Sequence, residues 1–190
     1  MPAAPAPGQV EVPRRGWTLS AGAGVFGRRH LDIGARFLLD HLPRDVTGEA
    51  ADLGCGNGVL GLSLAADNPQ VRVTFCDVSW LAVESARDNA AALFGPSHRH
   101  EFHLGHGLDG LERRFDLILL NPPFHRGHAV DDGVARTLFR HARRHLAPGG
   151  ELRVVANGHL PYRRPLAKLF GQADRLAAND KFVIYRCVND

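Results

Sequence analysis

The run Asp52-Leu53-Gly54-Cys55-Gly56-Asn57-Gly58 constrains this chain more than any other segment. It follows a short apolar stretch, residues 50–53, and leads into a helical pattern over residues 59–66. Glycines at alternate positions let a main chain leave a strand, turn sharply and enter a helix without Cβ interference. The first amides of such a helix lack intrahelical partners and face whatever lies over the turn. The spacing narrows the ligand. A dinucleotide fingerprint needs glycine at its first, third and sixth positions. Here the sixth is Val59, and glycine falls at the fifth, Gly58. Asp52 is unsuited to a pyrophosphate, but it can hold loop amides or meet the ammonium of an amino-acid moiety. Asp77, at the end of the next apolar run, is set to accept from both hydroxyls of a ribose.

The pattern around this loop alternates. Residues 31–42 carry a helical stripe, and 71–76 read as a second strand. Ser79 is an N-cap candidate for a helix over 80–94, which Gly95-Pro96 stops. Strands are expected at 101–104 and 115–120, then a long amphipathic helix at 131–146 ended by Pro148-Gly149-Gly150. A strand at 151–156, a helix at 162–170 and a last strand at 181–188 complete the series. Strands alternating with helices indicate an α/β fold, a parallel sheet with helices on both faces. Ligands of such folds bind at the carboxyl ends of the strands, where Asp52, Asp77 and Asn121 would converge.

The fourth of these strands runs straight into Asn121-Pro122-Pro123-Phe124. An asparagine carboxamide oxygen and the carbonyl of the following proline are two acceptors on one corner, matched to the two hydrogens of a planar amine. Prolines stiffen that corner and bring no competing amide. Phe124 offers a face for stacking a flat base. Such a corner aligns a nitrogen lone pair without generating a strong nucleophile, which suffices when the electrophile is a methyl sulfonium. The glycine loop and this tetrad together point to S-adenosylmethionine and N-methyl transfer. The position normally polar toward an adenine ring is His106, between Gly105 and Gly107.

Composition sets the limits. The chain has 190 residues, 44% hydrophobic and 23% charged, enough for one domain with a substantial core. No apolar run approaches a membrane span, and the Ala/Pro-rich start does not read as a secretory signal. Residues 1–16 are expected to be a disordered tail and residues 17–190 a single domain, located in the cytoplasm. The three cysteines show no ligand spacing and read as small buried thiols of a reducing compartment. The eleven histidines include close groups at His98, His100, His103 and His106 and at His141 and His145, but no ligand set is complete and no metal is expected. His125 and His128 flank the tetrad. Net charge is +3, with local clusters at Arg113-Arg114, Arg140 with Arg143-Arg144, and Arg163-Arg164 with Lys168 that can meet nucleic-acid phosphates.

Beyond these two motifs, Val25-Phe26, Leu31-Asp32-Ile33-Gly34, the extension to His125, Val155-Ala156-Asn157, His159-Leu160 and Tyr162 complete a wider pattern. From about residue 24 to 188 the chain resembles the catalytic half of ribosomal RNA guanine-N2 methyltransferases of the RsmC/RlmG type. The resemblance implies a Rossmann-like class I methyltransferase fold, a seven-stranded, mostly parallel sheet with an antiparallel last strand. It implies methylation of the 2-amino group of a guanine in rRNA or a ribosomal subunit. The cofactor set would be Phe26, Asp52, Gly54, Cys55, Gly56, Asn57, Gly58, Asp77, Val78, His106 and Asn121, and the catalytic set Asn121, Pro122, Pro123 and Phe124. The family has Asp or Asn where His106 stands, and an additional N-terminal domain for RNA recognition. The tetrad also serves protein-glutamine and adenine-N6 methyltransferases, and a non-catalytic RNA-binding protein of the same fold is the remaining alternative.

Overall fold

A computed structural model of the chain describes residues 6–123 and 130–190. It begins with β1 (Gly8–Val12) and β2 (Trp17–Ala21), an antiparallel ribbon joined through a 3-10 turn at Pro13–Arg15. The tail expected over residues 1–16 is therefore a strand and a turn from Gly8 onward. Val10, Val12, Leu19 and Ala21 alternate inward and are buried, which is what holds the ribbon to the body. Gly16, at φ 63°, supplies the left-handed residue that closes the turn.

There follow α1 (Ile33–Leu39), β3 (Gly48–Leu53), α2 (Val59–Asp67), β4 (Val71–Asp77), α3 (Trp80–Phe94), β5 (Glu101–Leu104) and β6 (Phe115–Leu120). The chain ends with α4 (Val130–His145), β7 (Leu146–Asn157), α5 (Arg163–Phe170), β8 (Asp174–Ala178) and β9 (Phe182–Val188). The main sheet has seven strands in the order β5-β4-β3-β6-β7-β9-β8. Strands β3 to β7 pair in parallel, and β9 runs antiparallel to both its neighbours. This is the expected sheet, including its antiparallel last strand.

Side-chain alternation divides the interior in two. Ala50, Leu117, Leu119, Val155 and Ile184 face one layer with α1, α2 and α3. Ala51, Ile118, Leu120, Val154 and Val183 face the other, with α4 and α5. Phe115 has the parity of Leu117 yet joins the opposite layer, because the β6–β7 register shifts between Phe115 and Leu117. None of the described helices is long and apolar enough to cross a membrane.

The chain order places the site. From β3 it winds outward through β4 to β5, then returns to β6 on the other side of β3. The reversal leaves a crevice at the carboxyl ends of β3 and β6, whose final residues Leu53 and Leu120 are paired. Gly54 and Asn121 are the next residues on either side of it.

Candidate active site

The crevice is a cavity of about 420 Å³, within the roughly 300–1,000 Å³ usual for small-molecule sites. Phe26, Gly54, Cys55, Gly56, Asn57, Asp77, Val78, Asn121, Pro122 and Pro123, all anticipated, line it. Three anticipated residues do not. Asp52 and Gly58 lie behind the wall, and His106 is exposed while its neighbour Gly107 forms the lining. Phe124, with His125 and His128, lies outside the described residues.

The glycine loop spends its amides on its surroundings. Gly54 and Cys55 both donate to the Cys76 carbonyl, at 2.8 and 3.0 Å, and Gly58 donates to the Cys55 carbonyl at 2.8 Å. Gly56 donates to Asp77 Oδ2 at 3.0 Å. These loop amides are committed to β4 and to the loop itself; of the helix-start amides expected to lack partners, Val59 donates to Asn57 Oδ1 at 3.3 Å and Gly61 to Asp52 Oδ2 at 2.9 Å. A pyrophosphate would have to displace them, which sets the turn apart from a dinucleotide cradle. Gly58 starts α2 at φ 84°, where a Cβ would stand 3.0 Å from that of Ala86. Its contribution is close packing beneath the cavity.

Asp52 is 1% exposed and accepts the Gly61 amide of α2 at 2.9 Å. Burial, with some help from the Asp77 charge and against the Gly61 hydrogen bond, pushes its carboxyl up to about 7. It anchors the helix start and does not itself line the cavity. Gly61, which the motif spacing did not single out, is required by contact: a Cβ there would be 2.5 Å from Phe75 Cε1 and 2.9 Å from Val73 Cγ1.

Asp77 lines the cavity with its carboxylate held in place. Its Oδ1 accepts from Ser79 N at 2.9 Å and its Oδ2 from Gly56 N, which fixes the carboxylate and leaves further lone pairs on both oxygens. Val78 beside it is 63% exposed and forms the rim, as does Phe26 across the opening at 54%. The adenine-side loop is held from beneath by His141, whose Nδ1 accepts the Leu108 amide at 3.2 Å. His145 bonds the carbonyls of His141 and Leu111. Among the described residues no three His, Cys, Asp or Glu side chains come together to hold a metal ion. The cysteines are buried thiols, as expected, and burial raises all three pKa values, that of Cys187 to about 12. None is a nucleophile at neutral pH.

Asn121, the residue after β6, lines the cavity. Its Nδ2 donates to Asp32 Oδ2 at 3.0 Å, and that same oxygen accepts the Ala35 amide at 2.8 Å as the N-cap of α1. Among the described residues the Asn121 Oδ1 is buried and has no hydrogen-bond partner. A buried acceptor left unpaired costs about 1–3 kcal/mol, so it marks a place where a donor belongs. Asp32, Leu31 and Ala35 of the α1 region and Val10 of the ribbon also line the cavity. In the sequence Asp32 stands inside the helical stripe of residues 31–42 and in the Leu31-Asp32-Ile33-Gly34 segment of the wider pattern; its bond to Asn121 was not visible.

The basic clusters separate by position. Arg113 and Arg114 precede β6, one strand length or roughly 20 Å from Asn121. Arg113 pairs with Glu49 and Glu101, Arg114 donates to the carbonyls of Arg144 and Leu146, and Arg143 donates to Leu169. They stitch the far end of the molecule together. Arg163 and Arg164 are exposed at the start of α5, just after β7 ends on the cavity side of the sheet.

The chain is similar to known proteins. Residues 16–186 match the methyltransferase small domain. The chain is 59% identical over 173 residues to ribosomal RNA large subunit methyltransferase G of Alcanivorax borkumensis, covering 90% of this chain and 44% of that protein. It is 50% identical over 174 residues to the protein of the same name from Cronobacter sakazakii, covering 90% and 46%. The chain thus spans a little under half the length of these relatives. Among solved structures, the T. thermophilus 16S rRNA N2 methyltransferase RsmC, in complex with AdoMet and guanosine, superimposes with a TM-score of 0.82 at 26% identity, over 100% of this chain and 52% of that one. The fold is accordingly the Rossmann-like methyltransferase fold, and with its matched span running from the ribbon to the last strand, the chain belongs to the methyltransferase small domain family.

Proposed function

We propose that this domain binds S-adenosylmethionine in the crevice and methylates the exocyclic 2-amino group of a guanine in ribosomal RNA. The observation that carries the reading is the buried Oδ1 of Asn121, without a partner among the described residues, on a side chain that lines the cavity. The residues fit the cofactor. Asp77 presents fixed carboxylate oxygens to a diol, Val78 and Phe26 give apolar rims, and the committed loop amides leave a wall without a phosphate nest. The cofactor supplies an electrophilic methyl group on sulfonium sulfur.

The chain supplies orientation. Asn121 Oδ1 and the Pro122 carbonyl take the two amine hydrogens, turning the nitrogen lone pair out of conjugation and toward the methyl carbon. Once methylated, the nitrogen releases its extra proton to water, the two carbonyls orienting the amine without acting as bases. No cysteine or histidine nucleophile is needed. Substrate identity rests on the relatives named for rRNA methylation and on the solved neighbour that holds guanosine. A paired guanine must be turned out of its helix to reach the corner, at a cost of a few kcal/mol. Phosphate contacts by Arg163 and Arg164 would offset that cost. An rRNA substrate implies a cytoplasmic location.

The test is Asn121→Ala. Methyl transfer to ribosomal RNA should fall at least about a hundredfold, while affinity for S-adenosylhomocysteine changes less than about threefold. Retained transfer would remove Asn121 from the reaction. Label from the methyl-labelled cofactor appearing in protein or in adenine, and not in guanine, would replace the substrate.

A further inference from the structure

Asn121 has two ends of nearly equal shape, and only one is useful to an incoming amine. Turned by 180°, the carboxamide would present Nδ2, a donor, to another donor. Asparagine by itself does not choose. What fixes the choice is the group at its other end. In the described structure that group is Asp32, whose carboxylate offers acceptors and no proton, so it pairs with Nδ2 alone. The Oδ1 is then left buried and, among the described residues, unpaired, on a side chain that lines the cavity.

Asp32 is itself held. Its Oδ2 is the N-cap acceptor for α1, receiving the Ala35 amide at 2.8 Å, and it receives Asn121 Nδ2 at 3.0 Å. One oxygen therefore ties the start of a helix to the end of β6. A rigid helix end is a better reference for a catalytic side chain than a loop. We infer that Asp32 is the positioning residue of the amine corner, setting the carboxamide so that its acceptor, and not its donor, meets the substrate nitrogen. This deepens the amine-methylation reading and rests on it for its kinetic consequence, though not for the hydrogen bond itself.

Because both bonds use the same oxygen, conservative variants separate the roles. Asp32→Asn can keep its carboxamide oxygen at that place and retain both the cap and the grip on Asn121. Asp32→Ser keeps a capping hydroxyl, which is as good as Asp at an N-cap, but is one atom too short to reach Asn121. Asp32→Ser should therefore stay folded, with a melting temperature near that of the parent, and bind S-adenosylhomocysteine within about twofold. Its kcat on ribosomal RNA should drop about a hundredfold with KM little changed. Asp32→Asn should restore kcat to within about fivefold.

A second readout needs no substrate. In nitrogen-15 spectra, the Asn121 side-chain amide, assigned through its loss in Asn121→Asp, should exchange slowly with water in the parent and in Asp32→Asn. In Asp32→Ser it should exchange at least about tenfold faster. Parent-like kcat in Asp32→Ser overturns the assignment, and so does Asp32→Asn as slow as Asp32→Ser. Unaltered Asn121 exchange in Asp32→Ser also overturns it. If the parent protein transfers no methyl to ribosomal RNA, the proposed reaction is what fails, and the exchange measurement still decides the role of Asp32.

Discussion

Asp52 sits one layer beneath the chemistry, a carboxyl group with almost no water around it and only the Gly61 amide to satisfy it. Its pKa is about 7 in the folded chain against 3.8 when solvated, chiefly through burial. A raised carboxyl favours the folded state when protonated. Its contribution is complete below 3.8, declines as pH rises, and is lost above about 7. Asp52→Asn, which mimics the neutral acid, should therefore gain on the parent as pH rises. The difference in melting temperature should be near zero at pH 4 and at least about 3 °C in favour of the variant at pH 8, measured by thermal scans across that range. A pH-independent difference would mean that the charge is relieved by other means. At this scale the sequence was informative where chemistry is contiguous, as in the glycine loop and the Asn-Pro-Pro corner. It was silent where two residues meet only in space: Asp32 and Asn121 are 89 positions apart, and nothing local announces their bond.

Among the elements, α3, β5 and β6 have the boundaries that capping, turn residues and apolar runs indicated. Ser79 does cap α3, accepting from the Ala82 amide. Two kinds of element escaped. β8 is Asp-Arg-Leu-Ala-Ala, a largely exposed edge strand of low intrinsic β preference, and it exists because β9 is there to pair with it. β7 starts at Leu146, through a Pro-Gly-Gly segment that reads as a stop, because the Gly149 amide donates to the Asn189 carbonyl and the Asn189 amide donates to the Gly150 carbonyl, continuing the ladder. The ribbon of β1 and β2 was hidden by its Ala- and Pro-rich lead-in, although its alternating Val10, Val12, Leu19 and Ala21 carried the period of a strand. This omission matters for function, since Val10 lines the cavity. Val10→Asp should weaken S-adenosylhomocysteine binding about tenfold or more by calorimetry, because it sets an unpaired charge in an apolar wall. An unchanged affinity would show that the cofactor does not extend to the ribbon.

The molecule as a whole is polarised along its strands. One end of the sheet carries the crevice; at the other, the arginines are engaged with Glu49, Glu101 and main-chain carbonyls. Charge counting along the sequence could not distinguish these arginines from Arg163 and Arg164, because only the topology says which end each occupies. Replacing Arg163 and Arg164 by Glu should raise KM for ribosomal RNA about tenfold and flatten its dependence on salt, with cofactor affinity preserved. Replacing Arg113 by Ala should lower stability and leave KM alone. Comparison of the two variants across a salt series checks the assignment.

The Asn89 carboxamide joins three segments: it exchanges hydrogen bonds with both main-chain groups of Ser20 on β2 and donates to the Asn57 carbonyl in the glycine loop at 3.0 Å. One side chain of α3 thus fastens the outer ribbon and the cavity-lining loop to the same helix, so that Asn89→Ala would loosen both at once.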